Sequence, residues 1–175
     1  TSSSYSAMLE ANKSYWSNGE LPMPGYDYYI ASNMLWSTTA REQFKGDSMV
    51  VAGGYTVRLA RDTVVISNLH LLAASGLLFS GGNSTKHLYG RITVWPGDDL
   101  AQFRGYQNKQ VHIHSEIEGS GDLRLQPYTT ASDPRVTYFL EGVNTNFSGR
   151  VRIVTSVTSG GKDYPAQPDV ENGYY

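Results

Sequence analysis

Short runs of alternating apolar and polar residues, most of them entered through a glycine, recur along the chain. One kind comprises Gly46-Asp-Ser-Met-Val-Val51, Gly54-Tyr-Thr-Val-Arg-Leu59, Gly76-Leu-Leu-Phe79, Gly121-Asp-Leu-Arg-Leu125 and Gly149-Arg-Val-Arg-Ile153. A second kind lies between them: Val65-Ile-Ser-Asn-Leu-His-Leu71, Leu88-Tyr-Gly-Arg-Ile-Thr-Val94, Val111-His-Ile-His-Ser-Glu-Ile117 and Tyr138-Phe-Leu-Glu-Gly-Val143. A period of two marks strands with one buried face. Val57 and Leu59, or Leu123 and Leu125, then point inward while Arg58 and Arg124 face water. With Leu69, Ile92, Ile117 and Val143 as equivalents, the intervals are 23, 25 and 26 residues, and Leu77 to Leu123 spans 46. A repeat near 23 is too long for a hairpin pair and matches one coil of a parallel β-helix. The expected fold is therefore all-β, a short β-solenoid. The alternative is an antiparallel β-sandwich, whose strands at 8–12-residue spacing give a similar pattern.

The ends read differently. Residues 1–43 are expected to form an N-terminal capping segment, since the first coil of a solenoid would otherwise expose its core. Within it, Ser6 to Ser14 is the only stretch with helical character. A Pro- and Gly-punctuated loop from Trp16 to Gly25 precedes the strand candidate Tyr26 to Ile30. Residues 44–156 hold the coils. Residues 157–175, with two prolines and scattered charges, read as a linker or C-terminal tail.

Composition sharpens this picture. Charged residues make up 17% of the chain, below the roughly 25% of an average globular protein, and Gly, Ser, Thr, Asn and 13 Tyr take their place. Such surfaces are common on extracellular proteins. A net charge of -2, without any Lys/Arg cluster, argues against a nucleic-acid partner held through phosphates. No run of eighteen apolar residues is present, so no membrane insertion of this segment is expected. The absence of cysteine removes disulfides and thiolate metal sites, and Thr1-Ser-Ser-Ser-Tyr5 reads as a processed or trimmed start.

Near the C-terminus the residues resemble a family. Gly119-Ser-Gly-Asp-Leu-Arg-Leu125, followed by Val136-Thr-Tyr-Phe-Leu-Glu-Gly-Val-Asn-Thr-Asn-Phe-Ser-Gly149 and Arg150-Val-Arg-Ile153, is similar to the autotransporter-associated β-strand repeat. The match covers about 35 residues, with weaker echoes back to Gly46. It implies a right-handed parallel β-helix within a larger exported bacterial surface protein. Its residues are structural and name no ligand. The loop Gln126 to Pro134 is longer than the family's usual join, and the first forty residues match nothing in it.

Several constellations carry candidate chemistry. Asp98-Asp99 follows Gly97 at an expected turn, and paired aspartates activate water in polygalacturonase-type β-helical hydrolases. The Asn-Thr-Asp, Gly-His-Gly and Arg-Ile-Lys elements of those enzymes are missing, so the pair is expected to be an ordinary turn. His112 and His114 are two apart on a strand and project from one face, where Glu116 would complete a metal set. An exposed polar ladder reads the same way, and no metal or cofactor is assigned. His70 reads as a strand residue. Ser75 and Ser120 lack a nucleophile elbow, and Arg91, Arg124, Arg150 and Arg152 are outward residues that a lyase would need beside an acid-bound calcium.

The aromatics form the remaining set. Flat rings stack on the apolar faces of sugars, which makes Tyr26, Tyr28, Tyr29, Trp95 and Tyr106 candidate glycan-stacking residues. Alternation places Tyr26 and Tyr28 on one side and Asp27 and Tyr29 on the other. Trp16 and Trp36 are expected to plug the first coil. The functional expectation is a non-catalytic extracellular module for adhesion or carbohydrate binding, with a glycan or host-surface ligand. The alternatives are a β-helical polysaccharide-degrading enzyme, with Asp98 and Asp99 as its acids, or a purely structural spacer.

Overall fold

A computed structural model describes residues 7–8, 13–38, 40–128, 135–154, 156–159 and 162–165. Parallel strands stack as a β-solenoid of about 5 turns. One sheet runs β1 (Ala7–Met8), β3 (Met34–Trp36), β5 (Thr56–Leu59), β7 (Gly76–Phe79), β9 (Ala101–Gly105), β12 (Leu123–Pro127) and β14 (Val151–Ile153). The other runs β13 (Val136–Leu140), β10 (Lys109–Ile113), β8 (Thr85–Val94), β6 (Thr63–Leu71), β4 (Ser48–Val51) and β2 (Asp27–Ile30), with β11 (Glu116–Gly119) also on β8. Every pairing between coils is parallel. The sandwich alternative is thereby set aside. Antiparallel pairing occurs between β15 (Ser156–Ser159) and β16 (Lys162–Pro165), which apart from Ser156 lie in the segment 157–175 read as a tail.

The second sheet is bent. The ladder between β6 and β8 slips between Ile66 and Asn68, leaving Ser67 as an extra residue. Upstream of that corner β8 pairs with β10, and downstream it pairs with β11. The solenoid thus has three faces. The first is the β3-to-β14 sheet. The second holds β2, β4, the C-terminal halves of β6 and β8, and β11. The third holds the N-terminal halves of β6 and β8 with β10 and β13. Gly90 sits at the corner with φ of 115°, and a Cβ there would lie 1.8 Å from the Ile66 carbonyl oxygen. Only glycine takes that conformation without clash.

The core is made of columns of like residues, one per coil. Tyr28, Met49, Leu69, Ile92 and Ile117 form one, and Met34, Val57, Leu77, Phe103 and Leu125 another. All are buried, as expected when a period-two strand packs one side on a core. The equivalence of Leu69, Ile92 and Ile117 read from the sequence is the observed register. Val143 departs from it: its side chain is 70% exposed. Leu77 meets Leu125 two coils on, through Phe103, and not Leu123.

Strands join both sheets well before Phe44, since β2 pairs with β4 and β3 with β5. The aromatic plug is present. Trp16, Tyr28, Phe44 and Trp36 pack in sequence, with ring centroids 4.9, 5.5 and 6.1 Å apart. Most of the expected helix at Ser6 to Ser14 lies outside the described residues. Within it, Ala7–Met8 is a strand and a 3₁₀ turn starts at Lys13. The loop beyond Tyr128 and the tail beyond Pro165 also lie outside them.

The last described coil is tied on by Asp122, whose carboxylate accepts the Arg150 backbone N–H at 3.0 Å and the Arg150 guanidinium at 2.8 Å, with Arg152 at 3.3 Å. The backbone and guanidinium donors hold its pKa below the ordinary 3.8. A depressed carboxylate stabilises the fold above its unfolded pKa and loses that contribution as pH falls through the folded one. Acidification below about pH 4 should therefore loosen β14. Amide exchange at Val151–Ile153 should accelerate in acid, and Asp122→Asn should flatten that dependence.

Candidate functional site

Two groups of outward side chains stand out, on either side of the Gly90 corner. On the second face, strand register aligns Tyr29, Val50, His70 and Thr93 in one row. Trp95, just past the end of β8, donates its Nε1–H to His70 Nδ1 at 3.2 Å. Tyr29 is 62% exposed and Trp95 48%. Beside this row runs a polar one. Asp27 pairs with Ser48 in the ladder and accepts its hydroxyl at 2.5 Å, while Asn68 pairs with Arg91. Coils about 4.8 Å apart therefore present aromatic and polar groups on one face.

Of the aromatic candidates, Tyr29 and Trp95 belong to this face, and Tyr26 is exposed at the turn leading into β2. Tyr28 does not. Its ring is buried between Trp16 and Phe44, and its hydroxyl accepts the Met23 N–H at 3.0 Å. Because β2 begins at Asp27, alternation applies only from there, so Tyr28 faces inward while Tyr26 lies outside the pattern. Tyr106 follows β9 on the first face, 5.0 Å from the Tyr128 ring and 5.5 Å beneath the Arg58 guanidinium.

On the third face, His112 on β10 and His114 just past its end project from one side as expected, but Glu116 is not with them. The chain turns a corner at Ser115, which is buried with its hydroxyl toward the Leu88 carbonyl, and Glu116 emerges on the second face near Arg91 at 3.5 Å. Its place is taken by His87 from β8, directly opposite His112 in the register. Each of the three rings offers a nitrogen within 4.8 Å of the others. His87 Nδ1 lies 3.0 Å from His114 Nε2. Glu141, just after β13, accepts from His112 Nδ1 at 2.9 Å and from His114 Nδ1 at 2.8 Å. Tyr89 stacks on His114 and Phe139 on His112, each at 4.3 Å between centroids. Burial and the neighbouring imidazoles hold His87 below the ordinary histidine pKa, and the hydrogen bond from His112 pulls Glu141 down.

His87 was legible in principle, for it precedes His112 by 25 residues, one coil interval. Glu141 was not, because its position depends on where the next coil resumes after the loop. Asp98 and Asp99 lie on an exposed turn between β8 and β9, where Asp99 Oδ1 accepts the Leu100 N–H at 2.7 Å. Comparison with protein-family models, with curated proteins and with solved structures returns no match to this chain.

Proposed function

We propose that the chain is a non-catalytic β-solenoid module of a bacterial surface or secreted protein that binds carbohydrate outside the cell through its second face. The observation that carries this reading is the pair of exposed rings, Tyr29 and Trp95, on the same face as the outward polar side chains of Asp27, Asn68 and Arg91. Stacking on rings, with hydroxyls taken up by carboxylate and amide, is the chemistry of sugar recognition. The low charge and the resemblance to the autotransporter-associated repeat support an exported setting. In the last described coil Leu140, Val151 and Ile153 are exposed, whereas their register partners Ile113, Leu123 and Leu125 are buried.

A glycan array, followed by calorimetry on any hit, tests the proposal. Trp95→Ala and Tyr29→Ala should each weaken binding roughly tenfold, the scale of one lost ring contact. Tyr106→Ala, on another face, should leave it unchanged. No binding to any glycan, or equal loss in all three variants, overturns the carbohydrate reading.

A further inference from the structure

We propose that His87, His112 and His114 form a binding site for a divalent transition-metal ion on the third face, with Glu141 as the positioning residue. It is independent of the carbohydrate reading, since none of these residues lies on the second face.

A carboxylate only accepts hydrogen bonds, so Glu141 fixes the proton of both His112 and His114 on Nδ1. In the neutral rings both Nε2 atoms then carry a lone pair. His114 Nε2 is turned toward His87 Nδ1, 3.0 Å away, and one nitrogen from each ring falls within 4.8 Å of the other two. Three nitrogens bound to one zinc at 2.0–2.1 Å sit roughly 3.3 Å apart, so to share an ion the rings must turn and bring the widest pair in by up to roughly 1.5 Å. In the metal-free state His87 must donate to His114. With an ion bound, His87 shifts its proton to Nε2 and offers Nδ1, with no net change in protonation.

The surroundings suit this role. A carboxylate holding the far nitrogen of a ligating imidazole is the usual outer partner at such centres. Here one carboxylate serves two rings. Tyr89 and Phe139 clamp the ring planes from either side. The His112 and His114 side chains are 20% and 27% exposed, enough for an ion to enter. Three imidazoles with no thiolate favour zinc, copper or nickel over calcium or magnesium. Three protein ligands also leave a coordination position open to water or to a group from outside.

The chain contains 4 histidines, and the fourth, His70, lies on the second face. It is therefore an internal control. Untagged protein, stripped with chelator, would be titrated with zinc chloride and with cobalt(II). Expected are one ion per chain, the visible spectrum of nitrogen-ligated cobalt, and imidazole ¹⁵N shifts at three histidines but not His70. His87→Ala and His114→Ala should weaken zinc binding at least 100-fold. Glu141→Gln should weaken it 10- to 100-fold, and His70→Ala should have no effect. All four changes are at outward positions, and thermal melts of the metal-free variants would separate lost ligation from lost fold. Should a variant melt early, the ¹⁵N shifts of the parent chain carry the test. Binding that fails to saturate at one equivalent, or that survives His87→Ala and His114→Ala unchanged, overturns the proposal.

Discussion

Trp36→Ala is expected to destabilise the fold by about 3–5 kcal/mol, the cost of truncating a fully buried tryptophan. Trp36 is 0% exposed and stacks in register on Leu59 of the next coil. It also closes the aromatic series Trp16, Tyr28 and Phe44, and its Nε1–H satisfies the Arg41 carbonyl at 2.8 Å. Alanine removes the ring, leaves a cavity, and strands that carbonyl. The loss should be local at first, because each coil contacts only its neighbours. Denaturant titration would show the fall in stability. Hydrogen exchange should show early opening of β2 to β5, with β9 and β12 still protected. A cost below about 1 kcal/mol would mean that the cap does not depend on this ring. Trp36→Phe should recover part of the loss.

The second large effect is expected at the corner. Gly90→Ala places a methyl 1.8 Å from the Ile66 oxygen, at a φ of 115° that L-residues avoid. Backbone strain and overpacking together should cost about 3 kcal/mol. For a chain of this size that lowers Tm by roughly 6–12 °C. Since β8 carries both His87 and Tyr89 beside this corner, the substitution should also disturb the histidine cluster. Gly119→Ala tests a different corner, the end of β11 beside Val94, with φ of 100° and a Cβ 2.3 Å from the Val94 oxygen. Gly54→Ala is the contrast: its φ of 82° is strained, but nothing lies within 4 Å of the added methyl, so it should cost less. If Gly54→Ala proved as damaging as Gly90→Ala, contact with Ile66 would not be the cause.

The sequence by itself determined which residues face inward in strands such as β5 and β12. Val57 with Leu59 and Leu123 with Leu125 are buried as the alternation requires, because a pleated strand has no other way to segregate its side chains. It also determined the coil interval over Leu69, Ile92 and Ile117. The interval persists because each side chain must land on its equivalent in the next coil to keep the column filled. A period of two is common to parallel and antiparallel sheets, so the expected parallel pairing rested on the coil interval, and the tertiary structure bears it out. It also decided where each strand turns, and a turn resets the phase of alternation. That is why Tyr28 went into the core, why Glu116 left the histidines for the second face, and why Val143 fell out of the column. The histidine site shows the same division. His112 and His114 share a face by local geometry alone, whereas His87 and Glu141 reach them only because three coils stack in one register.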